Sequence, residues 1–169
     1  MRKIVLFIPL VVFLLLGSLL YFQLGKDTQY MPSALVGKKL PDFALVSLQN
    51  DQVYTQSDLP KTAYLVNFWG TWCPACHLEH PFLMQLAKSG VPIVGINYKD
   101  QQALAVQWLA QKGDPYQWVL MDERGHFGVD MGVTGAPETF VVDSAGVVVY
   151  RLQGVISAEN WPSIKGYMK

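Results

Sequence analysis

The sequence predicts an α/β domain, a central mixed β-sheet flanked by helices, which follows a single apolar N-terminal helix. Two observations support this prediction. The first 22 residues contain one long run without a charged side chain, and from residue 63 onward short runs of strand-forming residues alternate with segments of helical apolar spacing. Strands that alternate with helices are typical of a layered α/β domain.

Composition limits the class of protein. The chain has 169 residues, which favours one domain with a short appendage. It carries 13 basic and 13 acidic residues, so the net charge is zero, and this balance argues against a nucleic-acid-binding protein. With only two cysteines, a scaffold of several disulfides is excluded.

The apolar run over 4–22 predicts a transmembrane anchor. As a helix, its 19 residues extend roughly 28 Å, close to the ~30 Å hydrocarbon core of a bilayer. Arg2 and Lys3 precede it, so the positive-inside rule predicts a cytoplasmic stub at 1–3. The alternative is a cleavable signal peptide, which has a shorter apolar region of ~7–15 residues and a small-residue cleavage site; the sequence after the run offers no such site.

The rest of the chain divides into a polar linker, 23–36, and one domain, 37–169. Four strands are predicted, at 63–69, 93–98, 139–143 and 147–152, the last two as a hairpin.

Three helices accompany these strands. Leu78, Phe82 and Leu86 recur every four residues and predict the buried face of the first helix. Leu104, Ala105, Trp108 and Leu109 predict the face of a second helix, which ends near Gly113, and a closing helix is predicted at 158–168.

The chemistry is predicted at Cys73 and Cys76, where the first strand ends and a helix begins. Pro74 suits the first helical position because its missing N–H has no partner there. Unpaired N–H groups and the positive end of the helix dipole favour a thiolate at Cys73. Cys76, one turn inside the helix and expected to be the more buried, can close a disulfide with it. Cys73 is therefore predicted to attack a disulfide and Cys76 to resolve the mixed disulfide.

Other readings of this motif remain open. The pair could form a purely structural disulfide, although so short a loop stabilises a fold little. It could be half of a zinc site with His77 and His80, but a second cysteine pair is missing. Cys73 to His77 also matches the C-x-x-C-H signature of c-type haem attachment.

A second segment, 135–140, favours the redox interpretation. Pro137 lies at the end of a loop just before the predicted strand at 139–143, where thioredoxin-like proteins have a cis-proline beside the cysteine pair. An ordinary turn proline is the alternative. The order of elements, βαβα followed by a hairpin and a helix, is also that of a thioredoxin-like fold.

Three segments, 67–76, 95–100 and 132–140, resemble the DsbE/CcmG family, membrane-anchored thiol:disulfide interchange proteins of cytochrome c biogenesis. Within them, G-V-x-G-A-P-E-T-F is more specific than W-C-P-x-C, which indicates only a thioredoxin-like protein. The resemblance covers nearly the whole chain and includes the N-terminal anchor.

The resemblance implies a disulfide reductase at the bacterial inner membrane, with a single-pass anchor and its catalytic domain in the periplasm. The membrane reductase DsbD would supply electrons, and apocytochrome c would receive them directly or through the partner CcmH. No cofactor beyond the redox-active disulfide and no metal is implied. A general periplasmic thiol oxidase or isomerase, such as one resembling DsbA, is the main alternative, and the c-type haem protein is a weaker one.

The same resemblance points to residues that shape the site. Glu79 and Glu138 are candidate bases for Cys76, because Asn67 stands where ordinary thioredoxin has a buried aspartate. A carboxylate near a thiolate opposes the helix dipole, which suits an electron donor. A solvated helix face is the alternative for Glu79.

Trp72 is predicted to be exposed in a substrate groove, and Trp69 is predicted to lie in the core. His77 is expected either to be exposed and inert or to favour a thiolate at Cys76 through its charge. Ala75 and Ala136 complete the predicted surroundings of the cysteines.

Overall fold

The structure, a computed structural model, describes residues 8–23 and 35–168, and the chain separates into an N-terminal unit and a compact second unit. The N-terminal unit contains helix α1 (Ile8–Gln23), which has 16 residues. No helix among the described residues is both long enough and apolar enough to cross a membrane. The predicted stub 1–3, the start of the predicted anchor and most of the predicted linker lie outside the described residues.

The second unit contains seven strands and four helices in the part of the chain that the structure describes. Its strands are β1 (Leu45–Ser47), β2 (Val53–Tyr54), β3 (Tyr64–Trp69), β4 (Ile93–Tyr98), β5 (Trp118–Asp122), β6 (Glu138–Val142) and β7 (Val148–Gln153). Its helices are α2 (Pro74–Lys88), α3 (Gln102–Lys112), α4 (His126–Asp130) and α5 (Trp161–Lys165), and a 3-10 turn spans Gln56–Asp58.

All seven strands form one mixed sheet in the order β2-β1-β5-β4-β3-β6-β7. Strands β3, β4 and β5 are parallel, and the other pairings are antiparallel. The mixed sheet and the four predicted strands are confirmed, each to within one residue at either end. The prediction missed β1 and β2, which are too short to show a period, and also β5 and α4.

Strand β3 lies inside the sheet between β4 and β6, and all six of its residues are buried. Leu65 and Trp69 pack in the core on the α2 side, together with both cysteines, whereas Val66 and Phe68 pack in the core on the opposite side. An interior strand that is covered on both faces of the sheet is apolar along most of its length, which explains the sequence of β3. Asn67, between them, is the one polar residue of this strand and is fully buried.

The predicted buried face of the first helix is wrong in part. Leu78 is 74% exposed, and the buried residues of α2 are Cys76, Glu79, His80, Leu83 and Leu86. Each step of four residues rotates the side-chain direction by roughly 400°, which is more than one full turn. Residues spaced by four therefore do not stay on one face of the helix. The true face includes a carboxyl and an imidazole, which an apolar pattern does not register.

The other helices also differ from their predictions. In α3, Ala105 and Leu109 are buried as expected, but Leu104 is 46% exposed. The closing helix is shorter than predicted, since only Trp161–Lys165 is helical.

Gly95, on β4 beside Asn67, provides a test of how tightly this face is packed. A Cβ atom at Gly95 would lie 2.7 Å from the ring of Tyr116, which is buried. We expect Gly95→Ala to lower the free energy of unfolding by about 1–3 kcal/mol, the usual cost of overpacking a core. Urea unfolding measures this change. Gly135→Ala is the control, because nothing lies within 4 Å of the added atom there. Equal stability of both variants would show that Tyr116 is free to move.

Candidate functional site

Cys73 and Cys76 form a disulfide at the N-terminus of α2, with their Cα atoms 5.3 Å apart. Cys73 is the N-cap residue, and its Sγ accepts a hydrogen bond of 3.1 Å from the backbone N–H of Cys76. Pro74 occupies the first turn, as predicted. A thiolate formed at Cys73 on reduction would therefore have an oriented backbone donor and the positive end of the helix dipole.

The predicted difference in burial between the two cysteines is wrong for this oxidised state, because each is only 2% exposed. What distinguishes them is position, since Cys73 caps the helix and Cys76 lies within its first turn. Ala75 and Ala136 pack against the core cluster that contains both cysteines. Trp72, directly before Cys73, is 51% exposed, and Trp69 is buried, both as expected.

A hydrogen-bond network lies on the same side of β3 as the disulfide, and Asn67 is at its centre. The Asn67 amide donates to Glu79 Oε1 at 2.9 Å and to Thr139 Oγ1 at 3.1 Å. Its oxygen accepts from the hydroxyl of Tyr116 at 3.0 Å. The second oxygen of Glu79 accepts from the backbone N–H of Ile156 at 3.1 Å. The network thus joins α2 to two strands and two loops.

Glu79 is 1% exposed, so the alternative of a solvated helix face is wrong. Burial raises the pKa of its carboxyl to about 7, although hydrogen bonds from Asn67 and Ile156 partly oppose the shift. Burial, together with the nearby Glu79 carboxylate, also raises the pKa of the Tyr116 hydroxyl well above its ordinary value. Glu79 lies three residues after Cys76 on the buried face of α2, the spacing of helix neighbours. A carboxyl whose pKa is raised to about 7 therefore lies one helical turn from Cys76.

Glu138 has different surroundings. Its carboxylate is 2% exposed and forms a 2.7 Å ion pair with Arg151. The same carboxylate accepts hydrogen bonds from the N–H and hydroxyl of Thr134 and from the N–H of Gly135. These contacts favour a role in holding the loop before β6. Glu138 as a base for Cys76 stays a prediction.

Pro137 follows that loop, and the Ala136–Pro137 peptide bond is cis. The sequence placed Pro137 before the strand but left its isomer open. Its carbonyl accepts a hydrogen bond of 2.9 Å from the N–H of Gly154.

The two histidines near the cysteines have separate partners. His77 is exposed, with Nε2 3.1 Å from the carbonyl oxygen of Thr71. His80 is buried, and its Nε2 lies 3.1 Å from the carbonyl oxygen of Gly113. Burial is the main cause that lowers the pKa of His80. Within the described ranges, no three His, Cys, Asp or Glu side chains form a group that could hold a metal ion.

The two sulfurs that the haem interpretation would use for thioether bonds are bonded to each other in this structure. Sequence reasoning also missed contributors to the site, namely Thr71, Asp100, Tyr116, Thr139 and Arg151. Tyr116 and Thr139 lie 49 and 72 residues from Asn67, so no local pattern links them to it.

Comparison with known proteins agrees with this geometry. The Redoxin family matches residues 35–166. The thiol:disulfide interchange protein DsbE of Vibrio cholerae is 47% identical over 167 residues, covering 95% of this chain and 91% of the relative. DsbE of Escherichia coli K12 is 42% identical, with the same shares covered. A crystal structure of a thiol:disulfide interchange protein of the thioredoxin family from Chlorobium tepidum superposes with a TM-score of 0.62 at 29% identity, covering 77% of this chain and 94% of that one. The predicted thioredoxin-like fold is confirmed.

Glu79 gives the oxidised protein a defined dependence of stability on pH. Its pKa is about 7 in the folded state against an ordinary value of 4.5, so the folded state binds the extra proton between these values. The stabilisation of the folded state that comes from this proton is present in full below pH 4.5 and is lost as pH rises through 7. As pH rises through this range, we expect the free energy of unfolding of the wild type to fall by roughly 2–4 kcal/mol more than that of Glu79→Gln, because the glutamine cannot ionise.

Urea unfolding of the oxidised wild type and the variant between pH 4.5 and 8 measures the effect. Glu159→Gln, at an exposed carboxylate, is the matched control and should keep the profile of the wild type. Parallel profiles for the wild type and Glu79→Gln would mean that Glu79 does not titrate in this range.

Proposed function

The chain belongs to the Redoxin family and is a thiol:disulfide oxidoreductase of the DsbE type, and we propose that it reduces disulfides of apocytochrome c during cytochrome c maturation. Electrons would come from the membrane reductase DsbD and pass to apocytochrome c directly or through a CcmH-type partner. The observation that carries the proposal is the pairing of a helix-capping disulfide with the buried carboxyl of Glu79 one turn away.

The reaction requires the dithiol form. The Cys73 thiolate attacks one sulfur of the substrate disulfide, forms a mixed disulfide and releases the other sulfur as a thiolate. Cys76 then loses its proton and attacks the sulfur of Cys73. This step restores the Cys73–Cys76 disulfide and releases the substrate with two thiols. Two electrons pass from the protein to the substrate, and the oxidised state is the one seen in the structure.

Glu79 suits the step in which Cys76 loses its proton. A general base acts best when its pKa lies near the working pH, and burial raises the pKa of Glu79 to about 7. Each oxygen of its carboxyl accepts a hydrogen bond, one from Asn67 and the other from the backbone N–H of Ile156. The side chain therefore cannot rotate towards solvent without breaking both hydrogen bonds. When ionised, it also makes a nearby thiolate less favourable, so the dithiol gives up electrons more readily.

The location of the protein belongs to the same proposal. We place it in the bacterial inner membrane through a single anchor over 4–22, with 1–3 in the cytoplasm and the domain of 37–169 in the periplasm. The uncharged run of 19 residues after Arg2 and Lys3 supports this topology. An anchor would keep a reductant near a membrane-bound electron donor.

The direction of electron flow is tested by the reduction potential of the Cys73–Cys76 pair. We expect a value between about −270 and −180 mV, the range of reducing and isomerising thioredoxin-like proteins, and well below the ~−120 mV of the strong oxidant DsbA. The full chain in detergent is equilibrated in buffers of defined potential, and its thiols are alkylated and counted by mass. A potential near that of DsbA would make the protein an oxidase.

The division of roles between the cysteines is tested by trapping. We expect Cys76→Ser to accumulate a mixed disulfide with a peptide that contains an oxidised Cys-x-x-Cys-His segment, because Cys73 attacks and nothing resolves the product. The adduct is detected by mass spectrometry after acid quenching. Cys73→Ser is the matched control and should form far less adduct. Equal trapping by both variants would contradict the assignment.

A further inference from the structure

Asp100, just beyond the end of β4, is tied to the loop that precedes the nucleophile. Its Oδ2 accepts from the backbone N–H of Thr71 at 2.6 Å, and its Oδ1 accepts from the Thr71 hydroxyl at 2.8 Å. Asn97 and the backbone N–H of Gln101 supply two more donors, at 3.0 and 2.8 Å. The residue is 7% exposed. Both oxygens of this buried carboxylate therefore accept hydrogen bonds, and two of the four donors belong to Thr71.

The next residue in this loop, Trp72, is held by two further contacts. Its indole N–H donates to the carbonyl oxygen of Tyr98 at 3.0 Å. Its ring also lies against Gly70, where a Cβ atom would be only 2.5 Å from Nε1 and 2.9 Å from Cε2. A side chain at position 70 would therefore clash with the indole in this orientation, and only glycine avoids the clash.

Trp72 is nevertheless 51% exposed, although its one polar group is already satisfied within the protein. An exposed aromatic side chain that is fixed in one orientation presents apolar area without the entropy cost of ordering it on binding. Since Trp72 immediately precedes Cys73, this area lies next to the reacting sulfur in the chain. A polypeptide docked at the disulfide would be able to use it, whereas a small disulfide reaches the sulfur without it.

We propose that Asp100 is a positioning residue: with Gly70 and Thr71 it holds Trp72 as a preformed aromatic platform on which a polypeptide disulfide substrate docks. The inference rests on the proposed function, because it assumes that the substrate is a polypeptide. Asp100 does not touch the reacting atoms and acts through Thr71 and the loop.

The test compares two oxidants of the reduced full-length protein in detergent. One is a peptide with an oxidised Cys-x-x-Cys-His segment, and the other is the small disulfide 5,5′-dithiobis(2-nitrobenzoic acid). The second-order rate constant is measured by stopped flow for each. Asp100→Ala removes the contacts to Thr71, and Gly70→Ala displaces the indole from the other side while Asp100 stays intact. In both variants we expect the rate with the peptide to fall roughly tenfold and the rate with the small disulfide to fall less than twofold.

The matched control is Asp122→Ala. Asp122 also stands at the end of a parallel strand, is 3% exposed and accepts two backbone N–H bonds, but from Phe127 and Gly128. Its carboxylate has the chemistry of Asp100, but its hydrogen bonds come from α4 and not from Thr71, so we expect Asp122→Ala to leave the ratio of the two rates unchanged. A second readout is the ¹⁵N relaxation order parameter of the Trp72 indole N–H, which should fall in Asp100→Ala.

Each other outcome is decisive. An unchanged ratio of rates in folded Gly70→Ala or Asp100→Ala overturns the inference, and should Asp100→Ala not fold, Gly70→Ala decides alone. Equal losses with both oxidants would assign the loop a structural role only, as would a loss in Asp122→Ala as large as that in Asp100→Ala. A wild-type protein that reacts with the small disulfide but not with the peptide would instead overturn the proposed function, and the inference with it.

Discussion

The arrangement of the site depends on the hydrogen bonds of one buried side chain, Asn67. Its amide joins β3 to α2 through Glu79, to β6 through Thr139 and to the segment after α3 through Tyr116. A buried polar group costs free energy when it has no hydrogen-bond partner. The network therefore favours the one arrangement of α2 and the strands in which all of its members are hydrogen-bonded. The helix that carries the disulfide is therefore held to the sheet in one register by polar contacts as well as by apolar packing.

The same network explains why a carboxyl is tolerated in the core. Glu79 occupies the face of α2 where an apolar residue would pack well, and its burial costs free energy once it ionises. Its two hydrogen bonds reduce that cost without removing it, and the result is a carboxyl with a pKa of about 7 on the helix that carries the disulfide. The stability lost on ionisation is consistent with a functional rather than a structural reason for the residue.

Glu79, Glu138 and Asp100 are buried carboxyls that differ in the groups that compensate their charge. Glu79 has neutral partners only, and its pKa rises. Glu138 is paired with Arg151, which compensates its charge while backbone and hydroxyl donors fix the loop of the cis-proline. Asp100 has four donors and fixes the loop of Trp72. The loop before Cys73 and the loop before β6 are thus each held by a carboxylate, whereas Glu79 belongs to the network of Asn67.

The sequence by itself determined the parts of this protein that depend on neighbours in the chain. The alternation of strands and helices, the position of the cysteines at the start of a helix and Pro74 in its first turn all follow from local pattern. Tertiary structure alone decided which side chains meet. The buried face of α2, the equal burial of the two cysteines, and the partners of Asn67, Glu79 and Asp100 depend on contacts between residues 29 to 77 positions apart, and no period or spacing encodes such contacts. Glu79 shows the difference most clearly: from the sequence it could be either a solvated acid or a base, and only the packing of α2 on the sheet removed it from water.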